Sequence, residues 1–400
     1  VRDAVRRPPG YLPRLAAEPC LNLSSTNLLR KLAFTLLVVG PVFCALEGSS
    51  SWYEHRRAAR PVLPEPSPEA PPSGFEARAA QAREAQGLPR RERVPCPLIP
   101  DKMVGWKLPP ELTPEAYAIG YRVNSQGYRG GEFTTRKPGS ARLLSVGDST
   151  IFGDGMAEQE VFSSVAARHL AAGWGVEVDA VIGALPGHDT EQSLLVLRQL
   201  APLLRPDWVL VGNLWSDVYR RDRMRPSAPD AIRSFGALEP LRTGLRRSAT
   251  YRVAKLLLAP HLMQRKVGFI ASMDDVAALS DGPAARVPLA SYLQNLRALA
   301  ASASQAGARP LFLLLPAPVD LEGSSVPGTV AEYRLAMRRV AREVGAPLVD
   351  GPALFREKKV TIAYFFDQVH PVQEGHALLG EAVAEAILSH MPSPPAPENP

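Results

Sequence analysis

The stretch Leu143-Leu-Ser-Val-Gly-Asp-Ser-Thr-Ile-Phe-Gly153 decides how the rest of the chain is read. Its first four residues have the character of a buried strand, Gly147-Asp148-Ser149 is a turn holding a hydroxyl, and a helix follows at once. Ser149 therefore stands at the carboxyl end of a strand, where a doubly wound sheet gathers its active residues. Two readings are open at this point. Asp148 or Ser149 caps the helix, or Ser149 is a nucleophile, and then a histidine held by a carboxylate must lie elsewhere in the chain to take its proton.

Outward from that turn, short apolar runs alternate with longer amphipathic ones between about 101 and 390. The pattern predicts strands over Arg142–Val146, Val176–Ile182, Trp208–Val211, Pro310–Leu315 and Pro347–Val349. Helices are expected over Glu160–Ala172, Thr190–Leu204, Leu289–Ala306, Thr329–Val344 and Val372–His390. This alternation, with strands apolar on both faces, argues for an α/β fold with a parallel sheet of about five strands covered by helices on each side. Residues 218–288 interrupt the rhythm as an insertion, basic at first and helical around Leu241 to Leu258.

A base is supplied late, in Tyr364-Phe-Phe-Asp367-Gln-Val-His370-Pro371. Asp367 and His370 lie three apart at a helix entrance, where one turn brings carboxylate and imidazole within hydrogen-bond reach. The bland alternative is that Asp367 caps the last helix and His370 is a partly buried loop residue. His376 and His390 fall within that helix's pattern and read as packing or surface residues, while His55 and His261 have no chemical company.

Composition removes several function classes. The chain has 400 residues, 46% of them hydrophobic, so a full core is available. The +6 charge and pI near 9.3 come from arginine clusters without aromatic stacking partners, which disfavours nucleic acid and suits an anionic membrane surface or plain solubility. Cys20, Cys44 and Cys96 form no CxxC pair, which excludes a disulfide framework and a cysteine metal cage. There is no HExxH, Walker loop or GxGxxG, so neither a metal nor a nucleotide cofactor is expected.

Taken in order, the GDS turn, a later glycine, a polar strand end and DxxH resemble the SGNH or GDSL hydrolase family over roughly residues 101 to 390. Asp101 to Trp106, followed by Arg122-Val-Asn-Ser-Gln-Gly-Tyr-Arg129, resembles the lead-in of exported, membrane-anchored members. The resemblance implies a flavodoxin-like three-layer α/β/α sandwich that cleaves or transfers acyl groups on lipids, polysaccharides or small esters. It also implies Ser149 as nucleophile, His370 as base and Asp367 as orienting acid. For the oxyanion hole it implies backbone N–H groups of Ser149 and of Gly187, in Ile182-Gly-Ala-Leu-Pro-Gly-His188; the alternative is that Pro186-Gly187 is simply a turn. His188 beside it would touch substrate or face solvent. The third block departs from the family pattern: Gly212-Asn213-Leu-Trp-Ser216-Asp217 places Ser216 where an asparagine is expected, leaving Ser216 or Asn213 as the third donor. Trp215 reads as a packing residue.

Three functions share this site: an esterase, an O-acyltransferase moving an acyl group to an exported polysaccharide, and an inactive binding module. The partners expected are an ester substrate, such as an acylated polysaccharide or lipid, and a membrane. Residues 1–31 are basic and lead into the uncharged run Leu32–Leu46. At about 1.5 Å per residue that run spans roughly 22 Å, short of a roughly 30 Å hydrocarbon core unless residues up to Trp52-Tyr53 extend it. Residues 32–53 thus read as a hydrophobic anchor helix or a cleaved signal, with a buried core helix as the remaining alternative. The first two place the hydrolase-like domain on the extracytoplasmic side. Residues 54–100 are proline-rich and read as a spacer with one short helix from Phe75 to Gln86, and 391–400 read as a similar tail.

Overall fold

A computed structural model describes residues 44–52, 74–89, 98–101, 103–110, 121–219, 248, 250, 285–321, 325–391 and 393–395. Residues 44–52 are helical. Then come α1 (Gly74–Ala85) and an antiparallel pair, β1 (Ile99–Asp101) with β2 (Gly105–Lys107). Strand and helix alternate thereafter: β3 (Ala141–Gly147), α2 (Ser149–Phe152), α3 (Phe162–Trp174), β4 (Val178–Ile182), α4 (Thr190–Leu204), β5 (Trp208–Gly212) and α5 (Trp215–Val218). Beyond the insertion lie α6 (Leu289–Gln305), β6 (Arg309–Leu314), α7 (Gly328–Glu343), β7 (Leu348–Asp350), α8 (Gly351–Glu357) and α9 (Gln373–His390).

Strands β3 to β7 form one parallel sheet in the order β4-β3-β5-β6-β7. That is the flavodoxin-like order, and its direction reverses between β3 and β5. A doubly wound sheet places its ligand crevice at this point, outside the carboxyl ends of those two strands. Helices α3 and α9 pack on each other as one covering layer, and α4, α6 and α7 form the other. The central strands β3 and β5 are buried along their whole length, which is why their sequences are apolar runs without alternation.

Two glycines set the height of the nucleophile turn. Gly147 and Gly212 pair in register at the ends of β3 and β5. A Cβ on Gly147 would lie 2.3 Å from the Gly212 carbonyl oxygen and 2.4 Å from Ile151 Cγ1, and one on Gly212 would lie 2.2 Å from Ile151 Cδ1. With both positions bare, Ile151 sits directly on the strand ends, and α2 starts without an intervening loop.

The spacer expected over 54–100 needs correction in its second half. Helix α1 buries Phe75, Ala79 and Arg83, a stripe at four-residue spacing, against the domain. Arg83 Nη1 donates to the Ala363 carbonyl at 2.5 Å and pairs with Glu374 at 3.3 Å. The segment is therefore folded onto the entrance of α9 rather than held away from it. Most of the run 32–53, most of the insertion including the helical stretch expected around Leu241 to Leu258, and the end of the tail lie outside the described residues. Among the described residues no helix is long and apolar enough to cross a membrane.

Candidate active site

The turn after β3 gives the capping role to Asp148 and leaves Ser149 unspent. Asp148 is the N-cap of α2, its Oδ1 accepting from Thr150 N at 3.0 Å. Its Oδ2 faces the first turn of α5 and accepts from Trp215 N at 3.0 Å, with Leu214 N at 3.4 Å and Ser216 N at 3.5 Å. Complete burial pushes the Asp148 carboxyl above its usual pKa, opposed by the N–H of Thr150, the His370 imidazole and the N–H groups of Leu214 and Ser216. Ser149, half-buried between fully buried neighbours, turns its hydroxyl the other way.

There the structure brings it against the late histidine. His370 Nε2 lies 2.7 Å from Ser149 Oγ across 221 positions of sequence. On the other side of the ring, Nδ1 is 2.8 and 2.9 Å from the two Asp367 oxygens. A carboxylate can only accept, so Nδ1 carries the proton and Nε2 is left to accept from the serine hydroxyl. The Asp367–His370 loop is rigid for local reasons. Asp367 Oδ1 also takes the N–H groups of Val369 and His370, each at 2.9 Å, and Phe366 N donates to the His370 carbonyl at 2.9 Å. Thr150, next to the serine, donates its hydroxyl to the Val369 carbonyl at 3.2 Å and so ties the two loops together.

Gly187 occupies the third corner of a turn closed by His188 N donating to the Leu185 carbonyl at 3.1 Å, and its φ of +77° is a conformation that suits glycine. It is partly exposed, whereas Pro186 and His188 on either side are buried. Of the two residues considered for a third donor, Asn213 is fully buried with its amide directed at the His188 carbonyl at 3.4 Å, and Ser216 is 2% exposed in the first turn of α5 beside Asp148. Asn213 lies in the loop leaving β5 and Ser216 in the helix that follows it, and the Asn213 amide points at the Gly187 turn.

The expectations for His188 are corrected: it neither faces solvent nor stands open to a ligand. It is fully buried beneath β2, edge-on to Trp106 at 5.3 Å, with Nε2 donating to the Trp106 carbonyl at 3.2 Å. Burial drives its pKa down to about 3. His376 packs, as its helical position suggested. It stacks on Phe162 at 5.7 Å, its Nδ1 accepts from Phe162 N at 3.2 Å at the start of α3, and burial likewise holds it near 3. Trp215 is also buried, as expected of a packing residue.

No protein-family model matches the chain, and no curated protein matches it. Among solved structures it is similar to ester hydrolases. A lipase/acylhydrolase from Enterococcus faecalis is 16% identical, the match covering 65% of this chain and 100% of that one with a TM-score of 0.41. Axe2, an acetylxylan esterase from Geobacillus stearothermophilus, is 18% identical over 63% of this chain and 96% of that one, with a TM-score of 0.40. LAE5, an alpha/beta hydrolase from the metagenome of Lake Arreo, Spain, is 17% identical over 62% and 94%, with a TM-score of 0.39.

Several residues that shape the site were not singled out from the sequence. Arg286, arriving from the far side of the insertion, is buried beside the Gly187 turn. It donates to the Gly187 carbonyl at 2.6 Å and to Gln192 Oε1 at 2.8 Å, and pairs with Asp189 at 3.0 Å with both side chains wholly buried. Asp217 takes both the N–H and the hydroxyl of Thr190, at 3.0 and 2.6 Å. Burial and the neighbouring Asp189 charge push its carboxyl pKa well up, opposed by the hydrogen bonds from Thr190 and by the Arg286 guanidinium. No motif announces Arg286, since its partners lie about a hundred residues earlier. Among the described residues, no group of three or more His, Cys, Asp or Glu could hold a metal ion.

Proposed function

We propose that the chain is a serine ester hydrolase of the SGNH/GDSL type, with Ser149 as nucleophile, His370 as base and Asp367 as its orienting acid. One observation carries this reading: the unbroken line of contacts from Asp367 through the imidazole to the Ser149 hydroxyl. In the first half-reaction Ser149 Oγ attacks the substrate carbonyl carbon while its proton passes to His370 Nε2. The developing oxyanion is met by the N–H groups of Ser149 and Gly187, with a third donor from the loop after β5. The imidazolium then protonates the departing alkoxide, leaving an acyl-serine. Water, deprotonated by the same nitrogen, attacks that ester; the acid leaves and Ser149 Oγ recovers its proton. Asp367 holds the ring in the required tautomer and balances the imidazolium charge in both halves.

The substrate class we favour is an acyl or acetyl ester on a glycan, lipid or small alcohol. The acyl-serine is equally suited to an O-acyltransferase if a sugar hydroxyl enters in place of water. Product analysis separates the two, because free acid accumulates in one case and acylated sugar in the other. The basic residues 1–31 and the uncharged run Leu32–Leu46 support a membrane-anchored domain on the extracytoplasmic side, which protease protection of the full chain in intact cells would test.

The central test uses a fluorophosphonate probe on the full chain. The parent protein is expected to be labelled at Ser149 and to hydrolyse short aryl esters or acetylated glycans, and Ser149→Ala should do neither. Equal labelling of the two proteins would remove the mechanism.

A further inference from the structure

Gly187 can serve as an oxyanion donor only if its N–H is held pointing into the crevice, and nothing within the turn itself guarantees that. Its sequence, Leu185-Pro-Gly-His188, is compatible with two turn types that differ chiefly by a flip of the peptide between Pro186 and Gly187, through roughly 180°. Proline suits the second corner of both types, and glycine reaches the φ that either requires at the third. The choice between donor-in and donor-out therefore rests on what grips that one peptide plane.

The grip comes from β2. Trp106 is 3% exposed, and its indole Nε1 donates to the Pro186 carbonyl at 2.9 Å. The Pro186–Gly187 peptide is planar and trans, so the Pro186 C=O and the Gly187 N–H point in opposite directions. Holding the oxygen against the buried hairpin aims the hydrogen away from it, toward the accessible side of the turn. A flipped peptide would lose the indole as a partner and bury an unpaired N–H in its place. The bond also polarises the amide whose N–H is the donor, which strengthens it. Trp106 is itself fixed on both sides, by the Arg286 guanidinium 5.6 Å from its ring centroid and by the edge-on His188 ring.

We infer that Trp106 is a positioning residue for ester cleavage, its indole N–H locking the Pro186–Gly187 peptide in the orientation that presents the Gly187 N–H to the oxyanion. The inference rests on the reading of Ser149 as nucleophile and Gly187 as donor, and it adds a residue about eighty positions upstream that touches no substrate. It also gives the segment from Asp101 to Trp106 a physical role, because this hairpin is the back wall of the Gly187 turn.

The experiment replaces the indole N–H in the full chain. Trp106→Phe removes it together with some volume; substituting β-(3-benzothienyl)alanine at the same position exchanges N–H for sulfur with the ring outline kept. Turnover of an aryl ester, the fluorophosphonate labelling rate and the thermal midpoint are measured on each. Deleting an oxyanion donor outright costs about 10²- to 10³-fold. Loosening one should lower kcat by about tenfold to a hundredfold, slow labelling in step, and leave KM within about twofold. A merely structural tryptophan would lower the midpoint in both variants without separating kcat from KM. A benzothienyl protein with parental kcat, or one altered in KM alone, overturns the inference even if Trp106→Phe fails to fold. If the parent is not labelled at Ser149, the functional reading falls and this inference with it; a labelled parent with an unaffected analogue removes the inference alone.

Discussion

Replacing Asp367 by asparagine separates the electrical role of this carboxylate from its role in holding the loop. Oδ1 of the new amide can still accept the N–H groups of Val369 and His370, both at 2.9 Å in the parent, so the loop should keep its shape. What disappears is the negative charge beside His370 Nδ1. With N and O 2.8 Å apart the centres of charge lie about 4 Å apart, worth about 4 kcal/mol at an effective dielectric of about 20. The Asp367 side chain is 16% exposed and that of His370 6%, and screening at such a site trims the figure to about 3 kcal/mol. At about 1.4 kcal/mol per tenfold, kcat should fall by about a hundredfold to a thousandfold. The amide also favours the wrong tautomer, since its N–H cannot accept from Nδ1–H, which pushes the loss toward the upper end. The assay is steady-state aryl ester hydrolysis by the full chain, read beside the thermal midpoint. An Asp367→Asn protein within threefold of the parent kcat, folded equally well, would refute the idea that this carboxylate stabilises the imidazolium.

Two further expectations concern stability. His188 and His376 are both held near a pKa of 3 by burial, below the unfolded value of 6.5, so on acidification the unfolded chain takes up their protons first. The stability tied to these two rings is complete above about pH 6.5 and declines as pH falls toward 3, by up to about 1.4 kcal/mol per pH unit for each ring. Urea midpoints measured from pH 7 to 4 should drop accordingly, and His376→Gln should flatten the slope by about half; a parent midpoint indifferent to pH over that range would contradict the burial of both rings. Gly147→Ala should destabilise by about 3 kcal/mol, because its Cβ meets a backbone oxygen at 2.3 Å as well as Ile151, and Ile151→Val should not restore the loss. Recovery by that second change would mean the side chain, not the carbonyl, sets the constraint.

The sheet was readable because β3 and β5 are buried on both faces, so their apolar runs are uninterrupted and stand out from the amphipathic helices between them. All five strands and the five long helices lie within two residues of their expected limits. That Ser149, Asp367 and His370 would meet was readable in part because Asp367 and His370 are close in sequence and Ser149 sits in a distinctive turn. Contacts between distant parts of the chain were not. His188 looked solvent-facing because the strand that covers it lies about eighty residues earlier. Arg286 carries no pattern of its own, since Gly187, Asp189 and Gln192, to which its guanidinium bonds, lie about a hundred residues earlier. The docking of α1 was obscured by the proline-rich sequence around it, although Phe75, Ala79 and Arg83 already lie on one helical stripe.

Of the two roles open for the turn, cap and nucleophile, the cap falls to Asp148, and the two aspartates near Ser149 have different partners. Asp148 is sealed from solvent and gives each oxygen to a helix start: Oδ1 to α2, and Oδ2 to the N–H groups that open α5. These positive helix ends offset the desolvation that raises its pKa, and they fasten the loop after β3 to the loop after β5 at the point where the strand order reverses. A carboxylate committed in this way is poorly placed to orient a base. Asp367 is partly open and holds both oxygens within 2.9 Å of the imidazole Nδ1, with Oδ1 also accepting the N–H groups of Val369 and His370. Because Asp148 already satisfies the end of α2, the adjacent hydroxyl owes nothing to the backbone there, and Ser149 can hold its proton toward His370.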